Sequence, residues 1–391
     1  MPADMKKLLT ILAVAALSSA AFAQGGNTGD GGPDGDYKSL SERVLNLEKK
    51  TDNFNLFLNY AASYQMSEAD GDWTSAFRAK QLRLEIKGQF GDHLTYRLRH
   101  RLNRAQDGKS ESNFSKATDI MMLGWKFNDK FTFMAGKMCQ FWGGFEFDEN
   151  PMYVYQYSDI LDYLDNFLAG AALSYTPVPS QEFVLNVTNS YSGKFADEYG
   201  AGAVTSGGKT LEAASHPLSY ILNWNGTFAD GLFQTRWAVG SYTQAKHYHD
   251  NMIYLGQCLN LPKVQWYFDY MGAFEGLDRL RIASAELGGA GYQTHVRYNS
   301  FVTKARIDIA DGFKLMLKGM YETAGTKDVG KFRTSLGYIG SLEYYPMKDQ
   351  DLRFFLAYVG RHYNYNGALS GVPSLSVNRI ELGFMFRIKA Y

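Results

Sequence analysis

The stretch LRLEIK at residues 82–87 alternates strictly between apolar and charged side chains, and LTYRLRHRLN at residues 94–103 continues the alternation. Successive side chains of a β-strand point to opposite faces, so each stretch predicts a strand with one apolar face and one charged face. The segment RIELGFMFRI at residues 379–388 has the same pattern near the other end of the chain. We therefore expect a sheet that meets an apolar medium on one face and water on the other.

The same unit recurs from Asn55 onward: an alternating run, a short turn, a second alternating run and a longer polar stretch. It predicts sixteen strands, which is an even number. The predicted strands span residues 55–65, 75–90, 93–104, 116–127, 131–138, 167–176, 181–190, 217–228, 232–243, 251–260, 264–273, 298–309, 313–322, 333–345, 352–363 and 375–389.

A soluble β-sandwich would also alternate, but two features favour a membrane barrel. The predicted strands have the ~9–11 residues that a tilted strand needs to cross a bilayer. Short connections, such as LPK at 261–263 and ADG at 310–312, alternate strictly with long ones, such as 138–166 and 190–217. Outer-membrane barrels have short periplasmic turns and longer external loops. We therefore predict an all-β fold, a sixteen-stranded antiparallel transmembrane β-barrel over residues 55–391, with the soluble sandwich as the alternative.

The composition of the 391-residue chain excludes several other classes. Lys+Arg and Asp+Glu both number 40, and a net charge of zero argues against a nucleic-acid partner. No long apolar run follows residue 23, which excludes a bundle of membrane-spanning helices. The only two cysteines, Cys139 and Cys258, exclude a disulfide scaffold, and whether they pair is left open.

The N-terminal segment has the organisation of an exported protein. A positive pair, a ten-residue apolar stretch and Ala-Phe-Ala before Gln24 predict a secretory signal peptide over residues 1–23. A Gly/Asp-rich flexible linker is predicted over residues 24–38. Residues 39–54 then predict a short helix whose apolar seam is Leu40, Val44, Leu47, Thr51 and Phe54. Its heptad spacing favours a periplasmic coiled coil that joins copies of the chain, and an amphipathic helix packed on the barrel is the alternative.

Several segments together resemble a known family. They are FRAKQLRLEIKG at 77–88, Gly136-Lys137, GGFEFD at 143–148 and YQYSD at 155–159. They resemble the phosphate-selective porin O/P family, and GGFEFD resembles its Bacteroidetes members in particular. The resemblance implies a sixteen-stranded trimeric porin whose third external loop folds into the lumen. It does not imply phosphate selectivity, because this chain matches only in part the dense arginine and lysine ladder of the members that gave the family its name.

A lumen enclosed by sixteen strands is an aqueous channel, so the charged face should line water. Arg97, Arg99 and Arg101 share one face of a predicted strand, and Arg83 and Lys87 of the preceding strand share that face. One interpretation of this basic ladder is a pore-lining wall of the constriction. The other is a solvated wall neutralised by nearby acids.

The opposite wall is predicted from the segment between the fifth and sixth strands, which contains the densest group of acids in the chain. Its aromatic residues and paired glycines favour a loop packed inside a tube. Acids that face a basic ladder would create a transverse field and set solute preference. Alternatively, these acids lie at the outer rim and bind divalent cations together with lipopolysaccharide. The constriction-loop acids are Glu146, Asp148, Glu149, Asp159 and Asp162.

Catalytic and metal signals are weak. The sequence contains neither HExxH nor GxSxG. His247 and His249 form an HxH without an identifiable third ligand, so no metal and no cofactor is predicted. A membrane phospholipase would need a Ser/His pair on the lipid face, and the spacing identifies no partner for His100.

The expected function is therefore that of a homotrimeric outer-membrane porin of a Gram-negative bacterium. It would sit among outer-membrane lipids and lipopolysaccharide and let small hydrophilic solutes or inorganic anions diffuse passively. Inward-facing bases outnumber inward-facing acids on the predicted strands, which predicts a mild anion preference. An outer-membrane hydrolase and a surface-binding barrel are the alternatives from other classes.

Overall fold

The computed structural model describes residues 53–69, 71–104, 112–347 and 350–390. Sixteen antiparallel strands pair in chain order, and β1 pairs with β16 to close the barrel. The predicted sixteen-stranded barrel is confirmed. The predicted signal peptide, the linker and the helix up to Asp52 lie outside the described residues. Of the helix seam only Phe54 is described, and it is an exposed residue directly before β1.

Every predicted strand has its counterpart, with ends that differ by a few residues. The strands are β1 Asn55–Ala69, β2 Asp72–Phe90, β3 Leu94–Arg101, β4 Thr118–Lys126, β5 Phe131–Cys139, β6 Phe167–Val178, β7 Gln181–Asn189, β8 Leu218–Phe228, β9 Phe233–Ala245, β10 Tyr248–Leu261, β11 Val264–Leu277, β12 Thr294–Ala310, β13 Phe313–Thr326, β14 Gly330–Tyr344, β15 Asp351–Tyr365 and β16 Leu375–Lys389.

The alternation in sequence becomes the two faces of the barrel wall. In β7, Phe183 and Leu185 are exposed, whereas Glu182, Asn186 and Thr188 are buried. Because the barrel is closed, the buried phase faces the interior and the exposed apolar phase faces outward. An outward apolar band is the surface that a bilayer requires.

Aromatic rings pair at the short-turn end, where a membrane interface is expected. Phe131 stacks on Tyr175 with ring centroids 4.8 Å apart, and Phe313 stacks on Tyr344 at 4.6 Å. At the other end the alternation turns Tyr363 inward, where it is 8% exposed.

The strict alternation of short and long connections is wrong in detail. One end has only short turns, but the opposite end, called here the outer end, has both kinds. Its long loops are 102–117, 140–166, 190–217, 278–293 and 366–374. Its short connections are 246–247 and 327–329, and β2 begins at Asp72 soon after β1 ends at Ala69. Strand pairs such as β9–β10 continue further than predicted, because their backbone groups keep pairing with each other instead of forming a loop.

The described helices are short and lie in the outer loops. They are α1 Phe145–Asp148, α2 Asp159–Tyr163, α3 Phe195–Tyr199 and α4 Ile282–Leu287, with 3₁₀ turns at Pro151–Tyr153 and Gly367–Leu369. Among the described residues, none of the helices has the length and apolar character needed to span a membrane.

Candidate functional site: the inner wall of the barrel

The register of β2 and β3 assembles the basic ladder, defined as Arg83, Lys87, Arg97, Arg99 and Arg101. Arg83 lies opposite Arg101, and Lys87 lies opposite Arg97. All five side chains are buried on the inner face. The structure therefore brings together the five bases that the sequence grouped on one wall.

Within the part of the chain that the structure describes, two carboxylates lie within ion-pair distance of this ladder. Glu85 lies between Arg83 and Lys87 on β2, and its Oε1 is 2.6 Å from Arg97 Nη2. Asp119 on β4 accepts a hydrogen bond of 2.7 Å from Arg101 Nε and lies 3.2 Å from Arg99 Nε. Counted over these seven described side chains, the formal charge is positive.

Asp119 is the functional residue that the sequence interpretation missed. The register of β3 and β4 shifts between Arg99 and His100, and Asp119 is the extra residue of this bulge. A bulge redirects a side chain against the simple alternation, and here both Asp119 and Ile120 are buried. The available signal was an acid in an otherwise apolar strand, TDIMMLGW at residues 118–125.

The long β5–β6 loop, residues 140–166, contacts the inner face of the wall from its first residues. Gln140 Nε2 donates to Thr188 Oγ1 on β7 at 2.8 Å. The backbone N–H groups of Phe145 and Glu146 donate to Asp269 Oδ2 on β11 at 2.8 and 2.7 Å. Buried backbone groups need such partners, so the wall supplies the hydrogen bonds that this irregular segment lacks internally.

Gly144 permits the closest approach of the β5–β6 loop to the wall. Its φ of +77° is in the left-handed region, and a Cβ atom there would lie 2.0 Å from a ring carbon of Tyr254. The loop backbone at this point faces Gly256 of β10, whose own Cβ position would lie 2.7 Å from the Gly144 Cα. Only glycine combines this conformation with this lack of space.

The loop acids have basic partners on the β9 and β12–β15 side of the wall. Asp148 lies 2.6 Å from Arg236, and Glu146 lies 2.5 Å from Lys318. Glu149 pairs with Lys304, and Asp159 pairs with Arg333 and Arg361. Each of these four acids is thus paired with a base of the inner wall that lies outside the basic ladder.

Inner-wall side chains also hold the loop by its backbone. Between residues 151 and 157, five carbonyl oxygens accept hydrogen bonds of 2.6–3.0 Å from wall side chains. The pairs are Gln81 to Pro151, Arg353 to Met152, Arg379 to Tyr155, Lys318 to Gln156 and Arg361 to Tyr157. Several bases that the sequence assigned to the open pore therefore bind the loop.

Asp162 differs from the other loop acids. It is buried, and its Oδ1 has no hydrogen-bond partner among the described residues. Burial raises the pKa of the Asp162 carboxyl well above its usual range; Arg361 lowers this pKa, whereas Asp159 and Glu146 raise it further. An acid in this setting favours its protonated form.

The remaining candidates do not form a chemical centre. Cys139 and Cys258 are buried and free. Within the described ranges, no group of three His, Cys, Asp or Glu side chains could hold a metal ion. His100 lies 3.0 Å from Thr118 Oγ1, so the structure gives it a threonine neighbour.

A closed sixteen-stranded barrel with an apolar outer face and a charged inner face defines an outer-membrane porin, a channel for passive diffusion. The chain belongs to the family of phosphate-selective porins O and P, whose family model matches residues 54–388. Its place is accordingly the outer membrane of a Gram-negative bacterium.

Solved structures of distant sequence share the fold. The outer-membrane channel DcaP of Acinetobacter baumannii aligns with a TM-score of 0.58 at 11% identity, over 86% of this chain and 96% of that one. OmpF of Salmonella typhi, solved in complex with daunomycin, gives 0.56 at 11% identity over 87% and 99%. The anion-selective porin from Comamonas acidovorans gives 0.52 at 10% identity over 86% and 100%. No curated protein sequence matches the chain.

Proposed function

We propose that the β5–β6 loop folds into the lumen and forms the constriction, with the basic ladder as the opposite wall. The contacts of the loop with β7, β9 and β11–β16 support this arrangement, since they reach inner-face residues around most of the barrel. Solute size would then be selected by the gap between the loop and the ladder. Permeation through this gap needs no chemical step.

We further propose a mild preference for anions, and the observation that supports it is the surroundings of Arg99. Arg99 is 1% exposed, and none of its three guanidinium nitrogens has a hydrogen-bond partner among the described residues. Its ion pair with Asp119 is shared with Arg101 and Arg83. An arginine that shares its carboxylate with two others adds positive potential to this wall, and that potential attracts anions because fields are focused where the walls have a low dielectric constant.

Reversal potentials in planar bilayers test the preference. With a salt gradient at low ionic strength, the unmodified protein should give the sign of an anion-preferring channel. The preference should weaken at 1 M salt, where the Debye length is only ~3 Å. Cation preference of the unmodified protein at low salt would overturn the proposal.

We propose that the porin is a homotrimer. One structure that shares the fold, OmpT of Vibrio cholerae with a TM-score of 0.54 at 11% identity, is described as a trimer form. The heptad seam of Leu40, Val44 and Leu47 would join the N-terminal helices below the barrels. Purified protein should then insert into planar bilayers in conductance steps of three, and single steps throughout would contradict the trimer.

A second candidate function, that of an outer-membrane hydrolase, is favoured by one set of contacts on the outward face. His362 Nδ1 lies 2.8 Å from Ser376 Oγ, and His362 Nε2 lies 3.2 Å from Asn364 Oδ1. A serine, a histidine and an orienting polar group are parts of a nucleophilic site. Hydrolysis of a p-nitrophenyl ester by the detergent-solubilised protein tests this second candidate function. A hydrolysis rate that disappears in Ser376→Ala would support this function. Equal background rates in the unmodified protein and this variant would contradict it.

A further inference from the structure

A cavity of about 420 Å³ opens at the outer end of the barrel. It lies between the β5–β6 loop, the 190–217 loop, the 278–293 loop and the ends of β9 and β14–β16. Sites for small ligands commonly have volumes of ~300–1,000 Å³, so this cavity has room for a small organic solute. Its position above the proposed constriction places it where a solute would arrive first.

Aromatic rings dominate the lining of this outer cavity. Five tyrosines contribute to it: Tyr163, Tyr191, Tyr199, Tyr363 and Tyr365. A tyrosine ring offers a flat apolar face and a polar hydroxyl at its edge. Such rings suit a ligand that has both C–H faces and hydroxyl groups.

The charged groups of the outer cavity are balanced and engaged. Arg281 lies 3.8 Å from Glu198, and Arg333 forms an ion pair with Glu286. Arg279 Nη2 donates to the backbone carbonyl of Asp165 at 2.8 Å. An anion would have to compete with these existing contacts, so the lining does not favour a charged ligand.

Two buried polar atoms of lining residues lack hydrogen-bond partners among the described residues. One is a donor, Gln244 Nε2, and the other is an acceptor, Glu286 Oε2. Gln244 is 1% exposed, and its other amide atom accepts from Tyr199 at 2.5 Å. A ligand hydroxyl can donate and accept, so a polyol satisfies both kinds of group.

We propose that the outer cavity binds a neutral saccharide of one to three sugar units before it enters the channel. The tyrosine faces pack against the C–H faces of the sugar, and the polar groups between them hydrogen-bond its hydroxyls. This inference rests on the proposed function, in which the lumen below the cavity is the path of the solute.

Current block in planar bilayers tests the inference with maltose and maltotriose as probes. Rising sugar concentration should reduce the ion current in a saturating manner. In Tyr163→Ala the half-blocking concentration should rise about tenfold, which corresponds to ~1.4 kcal/mol of lost binding. Tyr365→Leu is the second variant, since it removes a ring from another element. Tyr220→Ala, which removes an exposed tyrosine outside the cavity, should be blocked like the unmodified protein.

The outcomes separate the inference from the porin function. Open channels that maltose and maltotriose do not block would overturn saccharide binding, and so would block by inorganic phosphate alone. Block that is equal in the unmodified protein and both cavity variants would place the sugar elsewhere and overturn the site. Absence of any channel would overturn the porin function itself. Calorimetry of maltotriose with the detergent-solubilised protein then tests the cavity separately. Heat of binding that is present in the unmodified protein and lost in Tyr163→Ala supports the site, and no heat of binding with either protein overturns it.

Discussion

At the residue scale, the proposed anion preference depends mainly on Arg99. Its guanidinium lies over the ring of Phe167 at 5.1 Å and shares the carboxylate of Asp119 with two other arginines. Removing such a group from water costs several kcal/mol unless polar partners replace the water. In the proposed function, this incompletely neutralised charge adds positive potential to the constriction.

Replacement of Arg97, Arg99 and Arg101 by glutamine should shift reversal potentials toward cations, because Glu85 and Asp119 would then balance the two ladder bases that remain. The measurement is the reversal potential in a low-salt gradient. The matched control replaces three exposed lysines near the short-turn end, Lys126, Lys130 and Lys263, by glutamine. The control makes the same change in net charge, so an equal shift in both variants would contradict the role of the ladder.

Asp162 predicts a pH dependence of stability. Its pKa is raised in the folded protein. Its contribution to the free energy of unfolding is therefore most favourable below the pKa of ~4 in the unfolded chain, and it is lost as the pH rises toward the pKa in the folded protein. Asp162→Asn should therefore be more stable than the unmodified protein at pH 8. Its free energy of unfolding should be higher by about 1.4 kcal/mol for each unit by which the pKa of Asp162 is raised.

The measurement is the temperature at which the folded band is lost on gels, followed from pH 4 to pH 8. The advantage of Asp162→Asn should shrink toward pH 4. Asp230→Asn on an exposed turn is the control for the substitution of a carboxylate by an amide. If the difference in this temperature between Asp162→Asn and the unmodified protein were constant from pH 4 to pH 8, protonation of Asp162 would not contribute to the pH dependence of stability.

At the element scale, the β5–β6 loop depends on the wall for its conformation. It has only short helical turns of its own, and its carbonyl groups are satisfied by side chains from β2, β13, β15 and β16. Charged donors make stronger hydrogen bonds than neutral ones. The loop is thus held at many points, and in the proposed function its position sets the size of the opening that remains.

Gly144→Ala should displace the first part of this loop. The new methyl group would clash with the Tyr254 ring, and the left-handed conformation adds about 1–2 kcal/mol for a residue with a Cβ. We expect larger and noisier single-channel conductance in planar bilayers.

Gly200→Ala is the matched control, because Gly200 has a φ of +88° but no atom within 4 Å of its Cβ position. It has the conformational cost without the clash. Unchanged conductance in Gly144→Ala would mean that this part of the loop does not limit the pore.

At the scale of the whole molecule, the barrel is closed and has no free strand edge within its sheet. Assembly must therefore use outward side chains or segments outside the barrel. The N-terminal heptad seam is the segment of this chain whose pattern is suited to joining copies, although two heptads are too short to hold a coiled coil alone. We expect the barrels and the helices to stabilise the trimer together.

Deletion of residues 37–53 should lower the heat resistance of the trimer on unboiled gels while the monomer band keeps the mobility of a folded barrel. Deletion of the linker residues 25–36 is the control, since it shortens the chain without removing the seam. A protein that migrates as a monomer before any deletion would end the trimer proposal.

The sequence by itself determined the number of strands, the direction of the side chains in the regular stretches of those strands and the grouping of the basic ladder. These features follow from the period of two, which is a local property of an extended chain. It also identified the β5–β6 segment as unusual. The partners of its acids were beyond reach, because Asp148 and Arg236, or Asp159 and Arg361, are far apart in the chain.

Only the tertiary structure decided how these charges pair. A single bulge beside Arg99 turned Asp119 inward, and the register of two strands placed Ser376 beside His362. The outer cavity arises where loops from distant parts of the chain meet the ends of four strands. Register, bulges and loop paths depend on contacts between remote segments, whereas alternation depends only on neighbours, and this is the physical reason for the division.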